Sequence, residues 1–578
     1  MTKPLSNTLQ AVLENSVSRY RDKVAYTYGD DVIVTYTNFG QKAQELSYYL
    51  ACHGINKQDK VSIIGENMPN WGIAYFACGS MGAVIVPVLV DFSPIEISSV
   101  LEHSEAKALI VSTKVYAKIK DKISFNGLII IMNDFHNQQT GELVDDYWKQ
   151  HEQEALNWTP ESVLEEDLAC IIYTSGTTGR SKGVMLTNDN IVWDAIMCTT
   201  LHPVTENDVY LSVLPLAHTY ECTLGLVLGT MMGATTHYIS KAPTANVLMP
   251  LMKKYRPTMM LTVPLIIEKI YKVGVKPKFV KTAFMRLMYK IRPFQIILHR
   301  LACKKLYRVF GGRLKFFGIG GAAVASEVER FLRDGRFPYS CGYGLTETAP
   351  MVCGLPVGKT KFRSVGPPMQ GIECKLSGIN PATGEGELTF RGRNVMKGYF
   401  KDPETTAKVL SQDGWFQTGD LGIMDKHGNV TLKGRSKNMI LGSSGENIYP
   451  EEIEAIINEM DNVVESVVYQ DKGRLVASVY LNEEGFKARY QELKESAHNY
   501  QEELKKRMEN YLKELKEKVN QSVGRYSQLS DVELREVPFE KTATMKIKRF
   551  LLNKEKGTDS NEPSGSKKAS SKRTSQTA

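Results

Sequence analysis

The chain has 578 residues, too many for one hydrophobic core, since single cores stop growing near about 250–300 residues. At 42% hydrophobic and 24% charged residues it has the composition of a folded globular protein, which excludes a chain that is disordered, fibrous or membrane-embedded throughout. The net charge of +8 is unevenly placed: Lys269 to Ser326 contains fourteen Lys and Arg and no Asp or Glu, so the remainder sums to −6, and an anionic counterpart is expected for that segment.

The opening MTKPLSNTLQAVLENS has no apolar core behind a positive end, and no stretch reaches the roughly 18 apolar residues of a spanning helix. Nine cysteines are scattered without a C-x-x-C pair, so neither a zinc site nor a disulfide framework is expected. Both observations predict a cytoplasmic protein. Over the first 170 residues amphipathic helical segments (38–54) alternate with apolar runs (60–67 and 70–88), the pattern of parallel α/β units. It recurs around LACIIYTS (168–175), VYLSVLPL (209–216) and LKFFGIGGAA (314–323). From Ile372 the pattern changes to short alternating strands with Gly and Asn/Asp turns (372–376, 386–390, 415–425 and 428–434), a β-rich module.

Between Phe486 and Val523 there is no Gly or Pro, and Phe486, Tyr490, Leu493, Ala497, Tyr500 and Leu504 recur at helical spacing that continues to Leu515 and Val519. This predicts a long helix or helical hairpin projecting from the C-terminal part, with its mixed charge read as a solvated face or as a partner-binding coiled coil. Residues 553–578 have no large apolar anchor and read as a disordered basic tail.

The chemistry concentrates in Tyr173-Thr-Ser-Gly-Thr-Thr-Gly-Arg-Ser-Lys-Gly183, directly after a strand-like run. Its glycines allow tight turns that bring backbone N–H groups to an anion, its hydroxyls add donors, and Lys182 adds a mobile cation. A polyphosphate is the natural occupant. The G-x-x-x-x-G-K-[ST] spacing is absent, so this is not a Walker A loop, and GLPVGKT (354–360) fails as well because Cys353 stands in place of its first glycine.

This loop resembles the signature of the AMP-forming adenylating superfamily, and further stretches resemble that superfamily's motifs in the same order. They are LPLAHTYE (214–221), GIGGAA (318–323), YGLTET (343–348), GELTFRGRNVMKGYFKDPE (386–404), GWFQTGDLG (414–422), LKGRSKNMI (432–440), GENIYPEEIE (445–454) and FEKTATMKIKRF (539–550). The resemblance implies an α/β fold with a large N-terminal domain of layered α/β subdomains and a β-rich subdomain (1–435), then a small mobile α+β domain (436–552) with 486–523 as a helical insertion. It also implies ATP and Mg²⁺ as requirements, and adenylation of a carboxylate followed by transfer to a thiol.

By the same resemblance Thr174, Ser175, Gly176, Thr177, Thr178, Gly179 and Lys182 would cradle the β and γ phosphates. Thr346 would bond the α-phosphate and Glu347 would hold Mg²⁺, an ion that favours oxygen donors. Gly320, Gly321 and Ala322 would wall the adenine, Tyr343 and Gly344 would lie by the base, and Asp420 and Arg435 would hold the ribose. Lys546 would be the catalytic cation, with Lys541 and Lys548 as nearby alternatives that the motif register disfavours; Met545 replaces a glycine common in the family. Lys437 would be the hinge. His218 reads either as a gate between channels or as a structural histidine. Taken alone, GIGGAA also fits a dinucleotide-binding fingerprint, a weak match with no other support.

The motif spelling resembles the long-chain fatty acyl-CoA synthetase branch, which implies a long-chain fatty acid as substrate and CoA as acceptor. An acyl-carrier-protein acceptor and a non-catalytic binding protein are the alternatives, the second opposed by the intact Lys182, Thr346, Glu347, Asp420, Arg435 and Lys546. Apolar residues mixed with cations in 269–326 read either as peripheral contact with an anionic membrane surface or as an ordinary helix packed by its apolar side with its lysines in water. No base-reading motif for nucleic acid is present.

Overall fold

The computed structural model of the protein describes residues 6–174, 181–241, 243–442, 446–484, 500–542, 547–549 and 551–552. Two eight-stranded sheets dominate the first 430 residues. The first runs in the order Met351–Gly354, Tyr339–Gly344, Phe316–Ile319, Met259–Thr262, Val209–Ser212, Thr235–Tyr238, Val24–Tyr28, Val32–Thr35. The second runs Gly398–Tyr399, Lys182–Thr187, Leu168–Thr174, Val84–Val88, Lys60–Ile64, Ala106–Val111, Leu128–Ile131, His136–Asn137. Most of the central neighbours are parallel, as helix-linked crossovers require.

Helix Pro69–Ser80 shows why the sheets lie one above the other. From Trp71 to Ser80 every residue is buried, and the helix touches Val24–Tyr28 of the first sheet and both Lys60–Ile64 and Val84–Val88 of the second. A helix apolar all round has to be covered on both sides. One continuous core therefore runs from Leu9 to Val430. The β-rich expectation for 372–434 is met by an antiparallel sheet ordered Glu373–Ser377, Gly386–Arg391, Phe416–Met424, Val430–Arg435.

A separate core begins at Ile448. It belongs to a smaller C-terminal domain in which Val463–Asp471, Arg474–Leu481 and Asp531–Arg535 form one sheet. Here the expectation of a projecting helix needs correction. Helix Tyr500–Ser522 lies on this sheet, with Leu504, Met508, Leu512, Leu515 and Val519 buried against Ile453, Ile457 and Leu529. The physical reason is the parallel pairing of Arg474–Leu481 with Asp531–Arg535, which needs a long crossover, and this helix is part of it. Its periodic apolar face is thus a core face. Residues 485–499, which include the first 14 residues of the expected segment, and the basic tail lie outside the described residues.

The two domains meet through polar contacts. Lys272 Nζ donates to the carbonyl of Asn458 (2.5 Å), the Ser326 N–H to Glu459 Oε1 (2.7 Å) and Tyr449 OH to Glu385 Oε2 (2.7 Å). Polar interfaces of this kind rearrange at low cost.

Candidate active site

The segment expected to bind phosphates is flanked by two antiparallel strands. Leu168–Thr174 pairs with Lys182–Thr187 so that Thr174 faces Lys182 in register, and residues 175–180 between them lie outside the described residues. Ser175, Gly176, Thr177, Thr178 and Gly179 are among those residues, and Thr174 and Lys182 stand on either side of them. Lys182 Nζ sits 4.8 Å from the ring centre of Tyr399, which is carried by the neighbouring strand Gly398–Tyr399. The Tyr399 hydroxyl donates to Glu347 Oε1 at 2.9 Å. Burial and then the Glu347 carboxylate hold that phenol well above its ordinary range, so it stays a donor. The structure brings Lys182 and Glu347 together through one ring.

Glu347 and Thr346 begin a short 3₁₀ turn, Thr346–Thr348, at the end of strand Tyr339–Gly344. The turn is fastened from behind. Asn394 Nδ2 donates to the carbonyls of Thr348 (2.8 Å) and Met351 (2.6 Å), and Asp194 Oδ2 accepts the Met351 N–H (3.2 Å). Asp194 is fully buried, and burial pushes its carboxyl far above the usual range. Gly344 enters the turn where nothing larger fits: an added Cβ would stand 1.8 Å from the Pro350 carbonyl oxygen.

Three residues before Thr346, on the same strand, Tyr343 donates its hydroxyl to Asp420 Oδ2 at 2.6 Å. Arg435 Nε lies 3.1 Å from Asp420 Oδ1, because Asp420 and Arg435 are cross-strand partners in the antiparallel sheet. One strand end therefore joins the carboxylate at position 420 to the turn bearing Glu347. Gly320 and Gly321 follow strand Phe316–Ile319; a Cβ on Gly320 would stand 3.2 Å from the Tyr220 ring, and Gly321 has φ +83°. Ala322 beside them is exposed. His218 caps the short helix Thr219–Glu221, its Nδ1 accepting the Tyr220 N–H at 3.2 Å. Lys437 is exposed in the turn Ser436–Asn438 that leaves Arg435 toward the second domain.

Lys546 lies outside the described residues. Of its sequence neighbours, Lys541 is committed elsewhere, with Nζ 2.5 Å from Glu465 Oε2. Among the described residues no three His, Cys, Asp or Glu side chains gather into a metal cage. Glu347 supplies a single carboxylate, and one carboxylate with phosphate oxygens and water is a donor set that suits Mg²⁺.

A family model described as AMP-binding enzyme matches residues 13–400. The chain belongs to that family. It is 29% identical over 520 residues to the peroxisomal long chain acyl-CoA synthetase 7 of Arabidopsis thaliana, covering 83% of this chain and 73% of that one. It is 28% identical over 532 residues to a long-chain-fatty-acid–CoA ligase of Bacillus subtilis, covering 85% and 88%. A chloroplastic long-chain-fatty-acid–[acyl-carrier-protein] ligase of A. thaliana is 27% identical over 560 residues, covering 82% and 76%. In fold it resembles ATP-bound MatB from Rhodopseudomonas palustris (TM-score 0.72, 22% identity, 95% and 99% covered). It also resembles the o-succinylbenzoate CoA synthetase of B. subtilis in complex with its acyl-adenylate (TM-score 0.69, 22% identity, 94% and 97% covered).

For this AMP-binding enzyme, sequence reasoning named the residues at the mouth and missed those that hold them. Tyr399, Asn394 and Asp194 were not singled out, although Asn394 and Tyr399 fall inside a recognised motif. Asn67 was missed too: its amide donates to Ser212 Oγ (3.0 Å) and the Leu214 carbonyl (2.6 Å) and accepts from the Leu216 N–H (2.9 Å), fixing the LPLAHTYE segment. Tyr343 was expected to lie near a base, and its hydroxyl is engaged by Asp420. Behind Tyr220 a cavity of ≈ 30 Å³ is lined by Leu224, Leu228, Met259, Leu261 and Phe316 among others. That is room for little more than a water, so an acyl chain entering here requires side chains to move.

Proposed function

We propose that this AMP-binding enzyme activates a long-chain fatty acid with ATP and passes it to CoA. The carboxylate oxygen attacks the α-phosphorus, the bond from that phosphorus to the bridging oxygen of pyrophosphate breaks, and acyl-AMP forms. The thiolate sulfur of CoA then attacks the acyl carbon and AMP leaves. The first step gathers negative charge on phosphates, so positioning and charge neutralisation supply the catalysis and no nucleophilic Ser or Cys is needed.

The observation that carries this reading is the single strand end joining Asp420, through Tyr343, to the turn of Thr346 and Glu347, with Lys182 across Tyr399. In the proposed roles Asp420 and Arg435 hold the ribose, Gly320, Gly321, Ala322 and Gly344 border the base, Thr346 bonds the α-phosphate, and residues 174–179 with Lys182 cradle the outer phosphates. Glu347 would hold Mg²⁺, whose charge offsets that of the phosphates. Lys546 is the proposed catalytic cation, a role favoured by the commitment of Lys541 to Glu465. The proposed boundary at 435/436 is supported by the separate cores on either side of it, and the proposed mobility about Lys437 by the polar contacts between the domains. Membrane-dissolved substrate is expected to arrive at a bilayer surface met by segment 269–326, while no described helix is long and apolar enough to cross a membrane.

A carrier-protein thiol is the second reading, favoured by the acyl-carrier-protein ligase among the relatives. Pyrophosphate release by the purified protein with ATP, Mg²⁺ and fatty acids of increasing length, offered CoA or holo-carrier protein, tests both. The expected result is a maximum at long chains with CoA as the better acceptor; preference for the carrier overturns it. Lys546→Ala is expected to lose acyl-AMP formation yet still transfer acyl groups from synthetic acyl-AMP to CoA. Normal pyrophosphate exchange by that variant would remove Lys546 from its role.

A further inference from the structure

The cavity behind Tyr220 is lined mainly by apolar side chains, but four polar ones besides Tyr220 also face it: Cys198, His202, Tyr210 and Ser340. Two of these are satisfied within the protein. Ser340 Oγ donates to the Leu355 carbonyl at 2.7 Å, and Cys198 Sγ to Asp194 Oδ2 at 4.0 Å. The other two are not. His202 Nε2 and the Tyr210 hydroxyl are both buried, and among the described residues neither has a hydrogen-bond partner. A buried polar atom without a partner is costly, so two of them on one cavity describe what the cavity is built to hold.

Place and chemistry narrow the occupant. Gly342, which lines the cavity, stands four residues before Thr346, at most about 14 Å along the backbone from the residue proposed to bond the α-phosphate. A chain whose carboxyl is held at Thr346 therefore meets the cavity further along its length. Burial holds the His202 imidazole below its ordinary pKa, so it is uncharged at neutral pH. The nearby Lys315 is engaged by Asp208 at 2.8 Å. A second carboxylate would be buried there without a counter-charge, which disfavours a diacid. An uncharged imidazole has one donor and one acceptor nitrogen, and a phenol donates and accepts at one oxygen. A hydroxyl pairs with both side chains whichever imidazole nitrogen carries the proton, whereas a carbonyl or epoxide oxygen only accepts.

From these features we infer that the site selects a long-chain fatty acid carrying a hydroxyl group along its chain, with His202 and Tyr210 as the specificity-determining pair. The inference rests on the fatty-acid reading above and narrows it to one substrate class. An unsubstituted chain in the cavity leaves both polar atoms buried and unpaired, and a site built to hydrogen-bond a substrate hydroxyl discriminates against the analogue that lacks it. The wall that yields to the chain is the irregular one. Tyr220 is half-buried, and Leu224 lies in the π-helical stretch Cys222–Val227, a wide-turned form that recurs at functional sites.

The test is calorimetric titration of the full chain, without ATP, with hexadecanoic acid and each of its monohydroxylated isomers. Pyrophosphate release from the same acids is then followed with ATP, Mg²⁺ and CoA. One isomer, or a group of isomers with neighbouring hydroxyl positions, is expected to bind at least about tenfold more tightly than hexadecanoic acid. Tyr210→Phe removes one oxygen from a buried ring and is expected to weaken binding of that isomer while tightening binding of hexadecanoic acid, lowering the ratio about tenfold. His202→Phe is expected to shift the ratio in the same direction, whereas a merely structural role would move both acids alike. Hexadecanoic acid binding as tightly as every hydroxylated isomer overturns the inference, as does a preference that both variants retain. A hydroxyl preference in binding without pyrophosphate release overturns the ligase reading and supports this one. Release from hexadecanoic acid with no preference among the isomers overturns this one and supports the ligase reading.

Discussion

Tyr399→Phe removes one oxygen atom and tests whether Glu347 acts in the position found here. The Tyr399 side chain is 6% exposed, so water does not readily replace its hydroxyl. Its ring stays in the variant, still 4.8 Å beneath Lys182, and the fold is expected to survive. What is lost is a 2.9 Å hydrogen bond to Glu347 Oε1. Hydrogen bonds to a charged group contribute about 1.5–3 kcal/mol, which corresponds to a rate factor between about ten and a hundred if the bond fixes the carboxylate in the reacting arrangement. The expected outcome is carboxylate-dependent pyrophosphate exchange lowered by that factor, with more Mg²⁺ needed for half-maximal rate because an unfixed carboxylate holds the ion less well. Transfer of an acyl group from supplied acyl-AMP to CoA should be unchanged, since it does not involve the outer phosphates. Unaltered exchange at every Mg²⁺ concentration, or equal loss in both half-reactions, would refute the reasoning.

Gly344→Ala places a Cβ 1.8 Å from the Pro350 carbonyl oxygen, and backbone cannot swing aside as a flexible side chain does. Overpacking of this kind costs about 1–3 kcal/mol, so a lowered thermal midpoint and a loss of adenylation between about fivefold and a hundredfold are expected, and a fully active variant would show that the turn bearing Thr346 tolerates displacement. Glu221 is buried at the end of the segment 214–221, and burial raises its carboxyl to about 8 from 4.5. Because the folded-state value is the higher one, its contribution to stability is complete below about pH 4.5 and is lost as pH rises through 8. Urea midpoints measured from acid to alkaline pH should therefore fall less steeply for Glu221→Gln than for the wild type; identical slopes would show that Glu221 is ionised in the folded protein.

Which parts of this were legible in the sequence follows from the range of the interactions involved. The strand Leu168–Thr174 was readable because its apolar run is local, whereas its antiparallel pairing with Lys182–Thr187 was not foreseen. Asn394 and Asp194 are separated by 200 positions and meet only in the folded protein, so neither residue type announces a partner. The helix ending at Ser522 shows the limit of periodicity: spacing identified the apolar face, but only the parallel pairing of Arg474–Leu481 with Asp531–Arg535 shows that the face is covered by the domain's own sheet. The opposite case is Arg292–Val309, where mixed apolar and basic residues fit a packed helix and a surface helix equally. Burial of His299 and Cys303 with exposure of Leu301 shows that one side is packed and the other faces solvent.

Asp420 lies next to the proposed boundary between the two domains, through its partner Arg435. Both oxygens of its carboxylate are already engaged, one by the buried Tyr343 hydroxyl at 2.6 Å and the other by Arg435 at 3.1 Å. In the proposed reaction a ribose diol brings two further donors to this carboxylate. The Arg435 side chain is 46% exposed and its contact is the longer, so it yields more readily than Tyr343, whose displacement would leave a buried phenol without its acceptor. Arg435 is also the last residue of its strand, followed at once by the turn that contains Lys437 and leads to the second domain. In the proposed reading, a nucleotide that loosens Arg435 acts next to the turn about which the small domain is proposed to move, so ribose binding and domain motion are expected to be coupled.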